Sequence, residues 1–96
     1  MITKEELLAE RGYVCEACGA PAIDAHHCII KDMKKYRKVL YCRENLMALC
    51  RKCHGSGYWN GREGRELFWR AQCRRFGEPH MREWLAALPI RVKPIF

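Results

Sequence analysis

The sequence predicts an α+β domain: a short β-hairpin and a short helix gathered around a metal, with further helices before and after. Three observations carry that expectation. Cys15-x-x-Cys18 and Cys50-x-x-Cys53 form two pairs at the spacing with which a protein grips one tetrahedral zinc. The apolar runs at 22–30 and 46–49 have the length of strands. Beyond Gly61 the pattern turns helical, with apolar residues three and four positions apart.

The elements follow in order along the chain. Thr3-Lys4-Glu5-Glu6 has the form of a capping box, Leu7 and Leu8 follow, and Arg11-Gly12 supplies a stop, so a helix is expected over 4–11. Cys15 to Cys18 closes with Gly19, which suits the tight turn of a zinc knuckle. The run 22–30, interrupted by His26 and His27, reads as a strand. Residues 31–38 form a basic loop, and 39–42 a short extended piece. Arg43-Glu44-Asn45 is a turn signal, and 46–49 is the second strand. A short helix from 51 to about 59 would carry Cys53 and His54 in its first turn.

Two further helices complete the chain. The first, 62–76, lies between Gly61 and Gly77 with Leu67, Phe68 and Ala71 on one stripe. The second opens at Pro79, carries Met81, Trp84, Leu85 and Leu88 at helical spacing, and stops at Pro89. The last seven residues read as a tail. No repeat or linker divides the chain, so 1–96 is expected to be one domain, with a core of about 13–60 and C-terminal helices at about 62–88.

Composition narrows the class of function. The 96 residues are 49% hydrophobic and 30% charged, as in a globular domain, and the formal net charge is +7. Such a surplus points to a polyanionic partner, most often nucleic acid. No apolar run reaches the length of a spanning helix, and the first residues are acidic where a secretory signal would be basic, so an intracellular, cytoplasmic protein with no membrane partner is expected. Seven cysteines is an odd count, and two pairs sit at metal spacing, which favours metal over disulfides. Cys28, Cys42 and Cys73 are expected to act as small apolar residues.

A knuckle, a hairpin and a helix that starts at the second cysteine pair make a treble-clef arrangement. Structural Zn2+ at Cys15, Cys18, Cys50 and Cys53 would pin the knuckle to the helix, and its binding energy would become folding energy. Four thiolates close the zinc shell, so this ion leaves no position open for catalysis. His26, His27 and His54 lie in the same segment and are surplus to it, which points to a second site.

Cys15-Glu16-Ala17-Cys18-Gly19, Ala25-His26-His27-Cys28-Ile29, Asn45-Leu46-Met47-Ala48-Leu49-Cys50 and Arg51-Lys52-Cys53-His54 together resemble the HNH endonucleases, with their ββα-metal fold. The resemblance covers roughly residues 15–58, and order, spacing and residue type agree. It implies that His27 is the general base, that His26 and His54 bind a catalytic divalent cation, and that Asn45 fixes the loop and helps to orient the base. The cation implied is Mg2+ or Mn2+, with Ni2+ or Zn2+ as other occupants. The implied products carry 5′-phosphate and 3′-hydroxyl ends. Where some members carry a further histidine four residues after the last one, this chain has Tyr58, and Asp24, on the same strand face as His26, is a candidate ligand.

Lys31, Lys34, Lys35, Arg37 and Lys38 crowd the loop beside the histidines, and Arg51 and Lys52 open the helix that carries His54. They are expected to contact DNA through its backbone phosphates, which gives affinity without sequence preference. The leading expectation is a DNA endonuclease that nicks with low sequence specificity, as a monomer or weak homodimer of bacterial or phage origin. The alternatives are a non-catalytic, zinc-stabilised nucleic-acid-binding module and a protein-interaction domain built on the same frame.

Overall fold

The computed structural model describes residues 1–29 and 37–89. Lys31, Lys34, Lys35, the side chains of Arg37 and Lys38, and the tail 90–96 lie outside the described residues. The elements are α1 (Lys4–Glu10), β1 (Asp24–His27), α2 (Arg37–Leu40), β2 (Leu46–Leu49), α3 (Arg51–Gly55), α4 (Arg62–Phe76) and α5 (Glu78–Ala86), with 3₁₀ turns at Arg43–Asn45 and Tyr58–Asn60. This is the expected α+β class. A small β-hairpin and a short helix form a ββα core, and helices are added at both ends.

β1 and β2 pair antiparallel, with Asp24 opposite Leu49, Ala25 opposite Ala48, His26 opposite Met47 and His27 opposite Leu46. Both faces of β2 are covered, because all four of its residues are buried. On one side Leu46 packs with Ile2 and Leu7, and Ala48 packs with Leu8 and Ala22. On the other side Met47 and Leu49 join Cys15, Cys28, Ile29, Leu40 and Phe68 in the main core. A two-stranded sheet alone is marginal in water, and packing on both faces supplies what pairing cannot.

Local chemistry explains the ends of these elements. The Thr3 hydroxyl accepts a hydrogen bond from the Glu6 backbone N–H at 3.1 Å, so Thr3 is the N-cap, and the Glu6 carboxylate turns back to accept from the Thr3 hydroxyl at 3.0 Å. Gly19 turns the knuckle at φ +83°, a left-handed conformation that suits glycine. The residues of α5 that face inward are Met81, Trp84 and Leu85, joined by Leu88 just past its end, as their spacing required.

Four expectations need correction. The first strand is shorter than 22–30, because pairing runs only from Asp24 to His27. The piece 39–42 is not extended: Val39 and Leu40 close a helical turn, and the Leu40 carbonyl faces His27. The helix at 51 ends at Gly55 rather than near 59; Gly57 then takes φ +79° and the chain re-enters a 3₁₀ turn. In α4 the buried stripe is Gly64, Phe68, Trp69 and Gln72, and Leu67 is exposed. Burial selects one face of a helix, and in α4 that face includes a polar residue and a glycine that a hydrophobicity pattern passes over.

An ion-pair network joins α1 to the knuckle and to α4. The Arg11 side chain, only 5% exposed, pairs with Glu16 at 2.8 Å, and Glu16 also accepts from Arg75 at 2.7 Å. Glu16 takes a third bond from the Ala48 backbone N–H at 2.6 Å, which ties the knuckle to β2. Among the described residues no helix is long and apolar enough to cross a membrane.

Gly64 is where α4 meets the 3₁₀ turn. A Cβ there would lie 2.4 Å from the Tyr58 carbonyl oxygen and 2.7 Å from the Trp59 Cα. Glycine to alanine normally stabilises a helix by about 1 kcal/mol. Gly64→Ala is expected to destabilise this protein by about 1–3 kcal/mol, because backbone must shift to admit the methyl group. Gly55→Ala, which meets nothing within 4 Å, is the control and should be neutral or better. Urea denaturation of both variants checks this.

Candidate metal centre and histidine cluster

The metal centre is built from two backbone turns. Gly19 N–H donates to the Cys15 carbonyl at 2.9 Å, folding the knuckle so that both of its sulfurs face one way. Cys50 caps α3, its sulfur accepting from the Cys53 backbone N–H at 3.4 Å, and one helical turn brings Cys53 alongside. The sulfurs of Cys15, Cys18, Cys50 and Cys53 all lie within 4.8 Å of one another. Among the described residues this is the one group of three or more such side chains drawn so close.

The spacing fits a metal. Zinc–sulfur bonds of about 2.3 Å put tetrahedral sulfurs about 3.8 Å apart. Cys18 Sγ and Cys50 Sγ are 3.7 Å apart. The thiols feel one another strongly. Burial raises the Cys15 pKa, but hydrogen bonds from the Cys50, Cys18 and Ala17 backbone outweigh it and bring the thiol down to about 6. Hydrogen bonding to Cys50 and Cys18, with burial, pushes Cys53 up to about 12. Four sulfurs so placed cannot all ionise without a cation among them, and a metal ion such as zinc meets that need.

The histidines converge beside it. β1 presents His26 on the face it shares with Asp24, and α3 presents His54. The His26 and His54 rings stand edge to face with centres 5.0 Å apart. Imidazole nitrogens about 2.1 Å from a metal place two ring centres about 4.5–5.3 Å apart around it, so this pair could share one ion. His54 Nδ1 lies 3.0 Å from Asp24 Oδ2, and Arg51 holds the same carboxylate through Nε at 3.1 Å. Burial pushes the Asp24 carboxyl up, but the bonds from His54 and Arg51 prevail and hold it below the usual carboxylate range.

His27 sits on the other face of β1, half-buried, with Tyr41 edge-on at 4.9 Å. Its Nδ1 lies 3.1 Å from the Leu40 carbonyl oxygen. A carbonyl can only accept, so Nδ1 carries the proton and Nε2 keeps its lone pair. Burial lowers the His27 pKa, the Leu40 bond opposes it, and the nearby His54 lowers it further.

Asn45 is fully buried and works as a splint. Its Oδ1 accepts from the Ile29 backbone N–H at 2.9 Å, and its Nδ2 donates to the same Leu40 carbonyl at 3.0 Å. The turn that carries it is gripped from outside the core. Arg11 Nη2 and Gln72 Nε2 donate to the Arg43 carbonyl at 3.4 and 3.0 Å, Glu10 pairs with the Arg43 side chain at 2.7 Å, and His80 lies 2.9 Å from Glu44.

The structure therefore brings His26 and His54 together on one face of β1 and joins His27 and Asn45 through the Leu40 carbonyl on the other, and the adjacent residues Cys53 and His54 set the four cysteines beside the first pair. Of the basic residues expected at DNA, Lys52 is exposed on α3, while Arg51 is engaged with Asp24. Reading the sequence missed Glu16, Arg11, Gln72 and the Leu40 carbonyl. Nothing in the pattern marks a backbone oxygen, and the ion pairs span too many residues to show a period. Comparison of the chain with protein-family models, with curated proteins and with solved structures gave no match.

Protein purified without added metal is expected to hold one zinc per chain through the four cysteines, counted by atomic emission. Cys50→Ala removes a ligand and the cap of α3 together. It should lose the ion and the cooperative unfolding transition, as should wild type treated with a strong chelator.

Proposed function

We propose that the chain is a metal-dependent DNA endonuclease of the HNH type, with structural Zn2+ at Cys15, Cys18, Cys50 and Cys53. The observation that carries this reading is the Leu40 carbonyl, shared between Asn45 Nδ2 at 3.0 Å and His27 Nδ1 at 3.1 Å. One side chain braces the loop, the loop's carbonyl holds the proton of the imidazole, and Nε2 is left as a base. An imidazole held with its proton on Nδ1 keeps the Nε2 lone pair with which a general base acts.

In the proposed reaction His27 Nε2 takes a proton from the attacking water. Burial keeps this imidazole neutral at working pH, and the Leu40 bond stops it from turning away. His26 and His54 would hold a divalent cation, Mg2+ or Mn2+, which when bound would supply positive charge to the phosphate and to the departing 3′ oxygen. The products keep the phosphate on the 5′ end and a hydroxyl on the 3′ end. With two imidazoles and Tyr58 in place of a third, affinity for the cation without DNA should be low.

DNA would be held by its phosphates. Arg75 and Arg51 are committed to Glu16 and Asp24. Lys52, Arg62 and Arg74 are exposed and make no ion pair among the described residues. Together with a net charge of +7 they favour salt-dependent binding with little base preference. A single site in one chain favours nicking by a monomer or weak dimer inside a cell.

The test is supercoiled plasmid with the zinc-loaded chain in Mg2+, in Mn2+ or in EDTA. Open circles should form in either metal and not in EDTA. His27→Ala should slow the reaction by about 10²–10⁴-fold while zinc content stays the same. If the plasmid is bound but never cut in any divalent metal, the protein is a zinc-stabilised nucleic-acid-binding module.

A further inference from the structure

Asp24 stands at the start of β1, opposite Leu49, and two residues before His26 on the same face. Its carboxylate is one of the least exposed acidic groups near the histidines, at 13%. It faces α3 rather than solvent. Three bonds fix it: His54 Nδ1 to Oδ2 at 3.0 Å, Arg51 Nε to Oδ2 at 3.1 Å and Arg51 Nη2 to Oδ1 at 3.4 Å. The ligand atoms of Asp24, His26 and His54 do not draw together as the four sulfurs do. Asp24 is thus placed against the ring of His54 and not as a third ligand beside the pair.

An ionised carboxylate only accepts, so the His54 nitrogen it meets must donate. We propose that Asp24 is the positioning residue of the His26–His54 pair: it accepts a hydrogen bond from the Nδ1–H of His54, fixes the ring's orientation, and leaves the Nε2 electron pair to be offered to a divalent cation. Carboxylates that hold the far nitrogen of a ligand histidine do this generally, and they also raise the basicity of the nitrogen that binds. Arg51 keeps the carboxylate ionised and aimed. It therefore serves the pair at one remove and is not a free phosphate contact. The sequence expectation that Asp24 itself ligates the ion is replaced by this role.

The purpose of the cation rests on the endonuclease reading, but the arrangement of protons does not, and the test separates them. In the zinc-loaded full chain at about pH 8, where imidazoles are neutral, long-range ¹H–¹⁵N correlation reads which nitrogen of His54 bears the proton. Wild type is expected to show the Nδ1–H form. Asp24→Ala should shift His54 to the Nε2–H form that imidazole side chains prefer in water. Asp24→Asn, whose amide oxygen can accept the same proton, should retain much of the Nδ1–H form. Titration with Mn2+ alone, followed calorimetrically, should show affinity reduced about 10–100-fold in Asp24→Ala and less in Asp24→Asn.

An unchanged tautomer in Asp24→Ala overturns the proposal, and so does a changed tautomer with unchanged Mn2+ affinity. If Asp24→Ala loses its zinc or its fold, Asp24→Asn decides alone. It must then keep the Nδ1–H form while its Mn2+ affinity falls between wild type and no binding. If both readouts respond as expected and plasmid is still not cut, the endonuclease reading fails and the assignment of Asp24 stands.

Discussion

Four sulfurs within 4.8 Å of one another make the constraint on which this fold depends. Backbone hydrogen bonds pull the Cys15 thiol down against its burial, while hydrogen bonding to Cys50 and Cys18 pushes Cys53 up. With a cation among them, the four sulfurs would add a metal cross-link to the bonds by which Glu16 already ties the knuckle to Ala48 of β2. The knuckle brings β1 in behind it, and Cys50 both ligates and caps α3. The sheet is only two strands of four residues, and α3 is five residues long. None of these is stable alone, since isolated short helices and lone hairpins are marginal in water.

Around that centre the outer helices act as braces. α1 reaches the Arg43–Asn45 turn through Glu10 and Arg11, α4 through Gln72, and α5 through His80. The turn they hold presents Asn45, Asn45 holds the Leu40 carbonyl, and Leu40 holds His27. A chain of polar contacts thus runs from the periphery to one imidazole nitrogen. The buried Arg11–Glu16 pair belongs to the same logic. Glu16 is shared between Arg11, Arg75 and the Ala48 backbone N–H, so its charge is satisfied from three sides.

His27 and His54 are both bound at Nδ1 by groups that cannot donate: a carbonyl for one, a carboxylate for the other. In each case the proton is set on Nδ1 and Nε2 is released. The side chains differ in purpose under the proposed reaction, one as base and one as ligand, and the device is the same. Adjacent positions on β1 serve both faces of the strand, and α3 closes on one of them while the 37–45 segment closes on the other.

Much of this was legible along the chain. The cysteine pairs announce a metal because tetrahedral ligation needs that spacing. The N-cap at Thr3, the inward stripe of α5 and the knuckle turn at Gly19 are visible because each is fixed by residues within a few positions of one another. The histidines and Asn45 stood out by residue type and order. What the sequence did not disclose is how they are aimed. Asp24 meets His54 across 30 residues, Gln72 meets Arg43 across 29, and Arg75 meets Glu16 across 59. Hydrophobic period says nothing about such pairs, and it misassigned the face of α4 for the same reason. Local spacing by itself determined the α+β class, the outer helices, the cysteine pairs and the identity of the candidate groups, but not the helical turn at Arg37–Leu40. Tertiary packing decided which nitrogen of His27 and of His54 carries the proton, because that depends on which acceptor the fold sets against each ring.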